Sequence, residues 1–259
     1  MAVVGIPGNI GSSAKAETGQ AWMSAAAVQL RLPGSDVWMS QFAGRSKEEI
    51  WEWGGANHSF NKDWLIGELR NRGGTPVVIN IRADQVSYTP GVPLFEFPGD
   101  LPNAYITLNI YATIYGRGGN GSNGSSAGGG GGDCIHNWIG TRLRINNQGW
   151  ICGGGGGGGG LQINGDPSQG GGGGRPFGLG GTNGYNLNGT NASILSPGAG
   201  YNNGYGDVAG NGGDVGNGGG GAHSESGFYQ TAPAGGAGRA VVGTSPQWIA
   251  TGSIAGSWL

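Results

Sequence analysis

Runs of glycine at 128–132, 153–160, 170–174 and 218–221 limit what this chain can become more than any other feature. Of its 63 glycines, 50 lie from Gly116 onward and 13 in the 115 residues before it. Fixing a residue costs roughly 1–2 kcal/mol, and glycine loses the most freedom, so fifty of them oppose folding by about 50–100 kcal/mol. A fold must offset this through contacts that only glycine permits. Ordinary helical and doubly wound enzyme architectures are excluded by the composition.

Disorder is the first reading of such runs. Against it stand Trp138, Trp150, Ile151, Leu161, Phe177, Trp248, Ile249, Ile254 and Trp258, an apolar content that linkers lack. Polyglycine in a PPII-like helix has about 3.1 Å rise and no internal hydrogen bonds, so each N–H and C=O points sideways to a neighbour. Gly153–Gly160 would then be a rod of about 25 Å. Several such rods form a slab whose ends carry the intervening segments as loops. No strict Gly-X-Y period is present, which excludes collagen.

Residues 1–115 read as a small α+β domain, and residues 116–259 as the Gly-rich domain of stacked polyglycine II helices with protruding loops. Ser46-Lys47-Glu48-Glu49 fits a capping box, predicting a short helix that Gly54-Gly55 stops. Asn61 to Arg72 predicts a second helix with Trp64, Leu65 and Leu69 as its apolar stripe. Pro76–Ala83 and Ala104–Ile114 read as strands. In the second, Ile106, Leu108, Ile110, Ala112 and Ile114 alternate with Tyr105, Thr107, Asn109, Tyr111 and Thr113. For any one of Trp22, Trp38, Trp51, Trp53 and Trp64, core packing is the default; the set points to an aromatic interface.

Several motifs fail on context. Gly116-Arg117-Gly118-Gly119-Asn120-Gly121 matches G-x-G-x-x-G, but no helix pattern or acidic partner follows. Adjacent His223-Ser224-Glu225 lacks the separated placement of a catalytic triad. Cys134, His136 and Cys152 lack the tight pair spacing of zinc sites, so no metal and no cofactor is expected. Small buried thiols are the simpler reading, and a disulfide stays open. A net charge of -2 without a basic stripe excludes nucleic acid. The opening residues form no export signal, the two N-x-S/T acceptors at Asn188 and Asn191 mean nothing without secretion, and no apolar run can span a bilayer.

The segments Leu161–Gln169, Thr182–Pro197, Tyr201–Ala209 and Ala222–Ala234 hold Tyr185, Tyr201, Tyr205, Phe228 and Tyr229 among Asn, Gly and Ser. Antibody paratopes use this mixture, in which aromatics supply rigid area and small polar residues supply adaptable hydrogen bonds. Any single Tyr serves packing of the slab equally well; the set favours recognition by loops on a rigid scaffold.

These features resemble the receptor-recognising adhesins at the tips of long tail fibres in T-even-like bacteriophages. The resemblance spans Met1–Gly11, Trp51–Gly55, Gly149-Trp150-Ile151-Cys152 with its eight following glycines, and Gly171–Gly178. It implies an N-terminal domain that caps the trimeric distal fibre protein, one copy per tip, and loops that contact a porin-like host outer-membrane protein. The receptor-binding candidates are then Tyr185, Asn186, Leu187, Tyr201, Asn202, Tyr205, Phe228 and Tyr229; the fibre-attachment candidates are Trp22, Trp38, Trp51 and Trp53. The expected protein is a non-enzymatic virion component made in the host cytoplasm. A transient fibre-assembly factor is the rival reading. An ice-binding protein would need regular Thr spacing, which the irregular interloop segments lack.

Overall fold

The computed structural model describes residues 2–5, 8–183 and 185–259. Met1, Ile6 and Pro7 of the opening stretch, and Gly184 within 182–197, lie outside the described residues.

The chain begins with a small helical unit. Asn9 caps α1 (Ile10–Thr18), its Oδ1 accepting from Ser12 N at 3.3 Å, and Gly19 ends it in the left-handed region at φ 72°. With α2 (Met23–Gln29) and a 3-10 turn, Met39–Phe42, it encloses Val3, Ile10, Ala14, Ala26, Ala27, Leu30 and Phe42. The α+β domain expected over 1–115 is thus corrected: a helical unit comes first, and the strands after it belong to a larger body.

That body is a stack of parallel coils. The first contains β1 (Glu49–Trp53), β2 (Asn57–Phe60) and α3 (Lys62–Asn71); the second contains β3 (Val77–Ile81), β4 (Gln85–Ser87) and β5 (Phe95–Phe97). The third is β6 (Ile106–Ile110), β7 (Thr113–Tyr115) and β8 (Ile135–Asn137). The fourth starts with β9 (Leu143–Asn147) and β10 (Trp150–Cys152), after which the chain departs through β11 (Leu161–Ile163), β12 (Asp166–Gln169) and β13 (Gln230–Thr231). It returns in β14 (Val241–Gly243) and ends with β15 (Gln247–Ala250) and β16 (Ser253–Ala255). The three faces have strand orders β1-β3-β6-β9-β15, β2-β4-β7-β10-β16 and β5-β8-β14, each in parallel register. This is a three-faced β-solenoid, in which each coil buries its apolar side against its neighbours.

Its core includes Val77, Ile79, Ile81, Phe95, Phe97, Ile106, Leu108, Ile110, Ile135, Leu143 and Ile145. On the outer face Asn80, Asn109 and Asn146 stand in register, with Asn109 Nδ2 donating to Asn80 Oδ1 at 2.8 Å and Asn146 Nδ2 to Asn109 Oδ1 at 3.0 Å. This ladder ties three coils together.

Three local expectations change. The capping box at Ser46–Glu49 opens a strand rather than a helix, because pairing of Glu49–Trp53 with Val77–Ile81 satisfies the backbone. Ser46 is buried, and its carbonyl accepts from Arg31 Nη2 at 3.2 Å. The helix after Asn61 forms as expected, but it buries Leu65, Ile66 and Leu69 and leaves Trp64 half exposed against Trp53 and Phe60. Ala104–Ile114 is broken at a corner into β6 and β7, which lie in different sheets. Tyr105 and Thr107, on the side opposite the alternating isoleucines, are buried as well.

The Gly-rich segments are two excursions from the solenoid, one between β7 and β8 and one between β10 and β14. Gly153–Gly160 is their centre. Gly154 and Gly157 donate to Gly132 and Gly129, Gly155 and Gly158 to Arg175 and Gly172, and Gly156 and Gly159 to Asn217 and Gly220. The carbonyls of the same pairs accept from Gly238 and Gly235, from Gly119 and Ser122, and from Gly213 and Gly210. These bonds are 2.7–3.0 Å long and change neighbour with a repeat of three, giving the run six neighbours. A Cβ at Gly157 would overlap the carbonyl oxygen of Asn120, which is why no other residue serves there. Gly116–Gly121, the dinucleotide-like match, is one of the surrounding runs. The compositional boundary at 115/116 is crossed in every solenoid face, since β6 pairs with β9, β7 with β10 and β5 with β8.

Candidate functional site

The bundle has a base and a far end. Gly153 follows β10 at the base, where Gly216 donates to its carbonyl; Gly160 accepts from Ala232 at the far end. Following the hydrogen bonds outward, the segments 123–127, 161–169, 182–188, 202–208 and 222–231 emerge at the far end. The segment 193–197 instead turns at the base: Ile194 packs with Val86, Tyr115 and Cys152, and its carbonyl accepts from Arg175 Nε at 2.7 Å. The loop expected over 182–197 is therefore two turns separated by the short Gly189–Ala192 segment.

The far-end segments are joined to one another. β11 pairs with β12 and β13, drawing 161–169 to 230–231. Its tight turn is Asn164-Gly165, both at positive φ (49° and 89°), the hairpin chemistry that Asn-Gly supplies. Asn183 Nδ2 donates to Ser168 O at 2.8 Å, and Val208 bridges to both Asn202 and His223. Asp207 is buried below them, with Oδ1 accepting from Ser224 Oγ, Ser226 N and Ser226 Oγ at 2.8, 3.1 and 2.9 Å. Burial opposes the Asp207 charge, but these donors and Asn203 prevail and hold its pKa at about 2. Ser224 serves Asp207 rather than His223, so the side-by-side His-Ser-Glu types have a structural use.

One device presents the exposed tips. Asn183 Oδ1 accepts from Tyr185 N at 3.0 Å, Asn203 Oδ1 from Tyr205 N at 2.8 Å, and Ser226 Oγ from Phe228 N at 3.4 Å. At the base, Ser193 Oγ does the same for Leu195 N at 3.0 Å. Each is a polar side chain closing a turn two residues ahead, and each aims an apolar side chain at solvent. Tyr205 is 86% exposed and Phe228 79%. Asn186 and Asn202 are exposed as well, whereas Leu187, Tyr201 and Tyr229 are half-buried. The structure thus brings Tyr185, Asn186, Leu187, Tyr201, Asn202, Tyr205, Phe228 and Tyr229 to one end of the bundle. Sequence reasoning passed over Ile163, exposed beside Tyr185; the Asn-Gly hairpin signal would have found it.

The four Trp candidates for fibre attachment separate into two pairs. Trp22 (79% exposed) and Trp38 (78%) rise from the helical unit, Trp38 on a cavity of about 520 Å³ that Met23, Val37 and Met39 also line. Trp51 and Trp53 share one side of β1, as residues two apart in a strand must, and pack half-buried on the solenoid core.

Cys134 and Cys152 are free and buried; burial pushes Cys152 up to about 12 and Cys134 well above its ordinary range, so both stay protonated thiols. His136 contacts Asp133 at 2.9 Å, and Asp133 also accepts from Arg239 N and Nη2 at 2.7 and 2.9 Å. Burial works against the Asp133 charge, yet these donors hold its carboxyl well below the usual range. The cluster pins the returning chain to the solenoid.

Residues 48–259 match the model of the phage tail fibre adhesin Gp38, and residues 1–43 match that of the phage tail fibre adhesin Gp38 N-terminal domain. The receptor-recognizing protein gp38 of Salmonella phage S16 is 70% identical over 250 residues, spanning 96% of this chain and 97% of the relative. A chain in the crystal structure of the gp37-gp38 adhesin tip complex of the bacteriophage S16 long tail fiber is 68% identical, with a TM-score of 0.86 and 100% of both chains covered.

Proposed function

The chain belongs to the phage tail fibre adhesin Gp38 family, and on that premise we propose that it caps the long tail fibre tip and selects the host through its far-end loops. The relatives' descriptions supply the two halves of this reading: recognition of a receptor, and a tip complex with gp37. A trimeric gp37-like protein is the fibre partner, met by one copy of this chain, and Trp22 and Trp38 are its anchors. Both expose large apolar area that a partner would cover. The receptor is a porin-like outer-membrane protein, whose polar loops suit aromatic tips set among Asn and Ser.

The observation that carries the recognition half is the gathering of five segments, with the tips Tyr185, Tyr205 and Phe228, at one end of a backbone-bonded bundle. The glycine runs are stacked polyglycine II helices in this reading. Its support is the three-residue repeat with which Gly154–Gly159 change partners, as a helix of three residues per turn requires. Bonds between main chains hold such a scaffold, so loop sequences are exchangeable above it. Replacing 182–188 and 222–231 with the corresponding loops of a relative should redirect host range and leave the chain on purified virions. Unchanged host range would overturn the loop assignment, and absence from wild-type virions would favour a departing assembly factor.

A further inference from the structure

The far-end loops carry three carboxylates, Asp166, Asp207 and Glu225, and no Lys or Arg; Arg117, Arg142, Arg144, Arg175 and Arg239 all lie toward the solenoid. Two of the three carboxylates have local partners. Asp207 is engaged by its serines, and Glu225 lies 3.9 Å from His223. Asp166 makes no side-chain hydrogen bond or ion pair among the described residues and is exposed at the rim of the Asn164-Gly165 turn.

A cavity of about 350 Å³ opens beside it, bounded by Ile163, Asn164, Asp166, Ser168, Tyr185 and Leu187. Two aliphatic side chains and an aromatic ring thus share a cavity with one unpaired anion. A Lys or Arg side chain has the complementary form: an apolar stem for Ile163, Leu187 and Tyr185, and a cationic head for Asp166. An entirely apolar guest would strip water from a carboxylate with nothing in return.

We infer that this cavity is the subsite for a basic side chain, Lys or Arg, on an extracellular loop of the receptor protein. The inference rests on the reading of the far-end loops as receptor-binding, and it adds the chemistry that one of them selects. Absence of Lys and Arg from all the far-end loops, together the crown of the bundle, also steers the chain toward positively charged receptor surface before contact.

The test uses virions carrying the full chain on their host, with adsorption measured at 50 and 300 mM NaCl. Asp166→Asn should slow adsorption about tenfold at low salt and remove most of its salt dependence, Asp166→Lys should lower it about a hundredfold, and Asp166→Glu should retain most of it. Thermal melting of each variant checks that the exposed substitution leaves the fold intact. Wild-type adsorption by Asp166→Asn and Asp166→Lys, while Tyr205→Ala and Phe228→Ala lose it, would overturn the subsite and leave the crown reading standing. Full adsorption by all four variants would overturn the crown reading itself. A salt-independent loss in Asp166→Asn, reproduced on wild-type virions by host cells stripped of surface glycan, would overturn the inference in favour of a saccharide.

Discussion

Asn203 accepts the backbone amide of Tyr205 at 2.8 Å and also that of Asp207 at 3.3 Å, so one carboxamide shapes the turn on which the barest aromatic ring stands. Removing it by Asn203→Ala should cost about 1 kcal/mol of local order. Amide exchange at Tyr205 and Asp207 should rise, and adsorption should fall roughly fivefold at an unchanged melting temperature. Unaltered exchange in the loop would show that its shape comes from elsewhere.

Glycine positions differ in what they tolerate. Gly157→Ala drives a Cβ into the Asn120 carbonyl, and the surrounding runs must separate to admit it. We expect at least about 3 kcal/mol of destabilisation, a melting temperature lower by roughly 6–12 °C for a chain of this size. Gly236→Ala has open space around the new methyl and should melt within about 2 °C of wild type. Equal effects from the two would contradict the close packing of the central run.

Asp207 makes the crown sensitive to acid in one direction. Its folded pKa of about 2 lies below the ordinary 3.8, so its contribution is fully present above pH 4 and is lost as the pH falls through 2. Segments 202–208 and 222–231 should lose exchange protection together across that window, while Gly154–Gly159 stay protected. In Asp207→Asn the protection should already be weak at pH 7. A crown that holds its protection at pH 2 would refute this linkage.

At the fibre end, Trp22→Ala and Trp38→Ala should leave the melting temperature within about 2 °C, because neither ring is covered in the free chain. Each should weaken attachment to the gp37-like partner by about 2 kcal/mol, roughly thirtyfold, as truncated aromatic anchors do. Trp53→Ala should behave in the opposite manner, lowering stability by about 3 kcal/mol through its contacts with Phe60, Trp64 and Phe95. Pull-down with the fibre protein and calorimetry separate the two effects.

Local signals were readable wherever a few neighbouring residues decide the outcome. Asn61 and Arg70 marked the helix between them, and Val77–Ile81 declared itself a strand. Ser46–Glu49 misled because a capping box is a local pattern, whereas Glu49–Trp53 is settled by a partner strand near residue 79. The change of composition at Gly116 is real, but glycine content reports where side chains are absent and not which strands pair. The solenoid resumes after each excursion, at Ile135 and at Val241, and only register reveals that. For the candidate site, aromatic content picked out Tyr185, Tyr205 and Phe228, the exposed tips of the far-end loops. The turn that takes 193–197 to the base depended on how many residues separate two corners, a length no single residue announces.

The return of the chain at Val241 has a consequence for synthesis. β14, β15 and β16 leave the ribosome only after the long excursion that follows β10, yet they cover β8, β9 and β10, which were made before that excursion. Until the chain has travelled out and back, those earlier strands keep bare edges of the kind that invite mispairing. Finishing the stack is therefore a completion check: a chain that stops short, or whose glycine runs have not docked, cannot shut its own end.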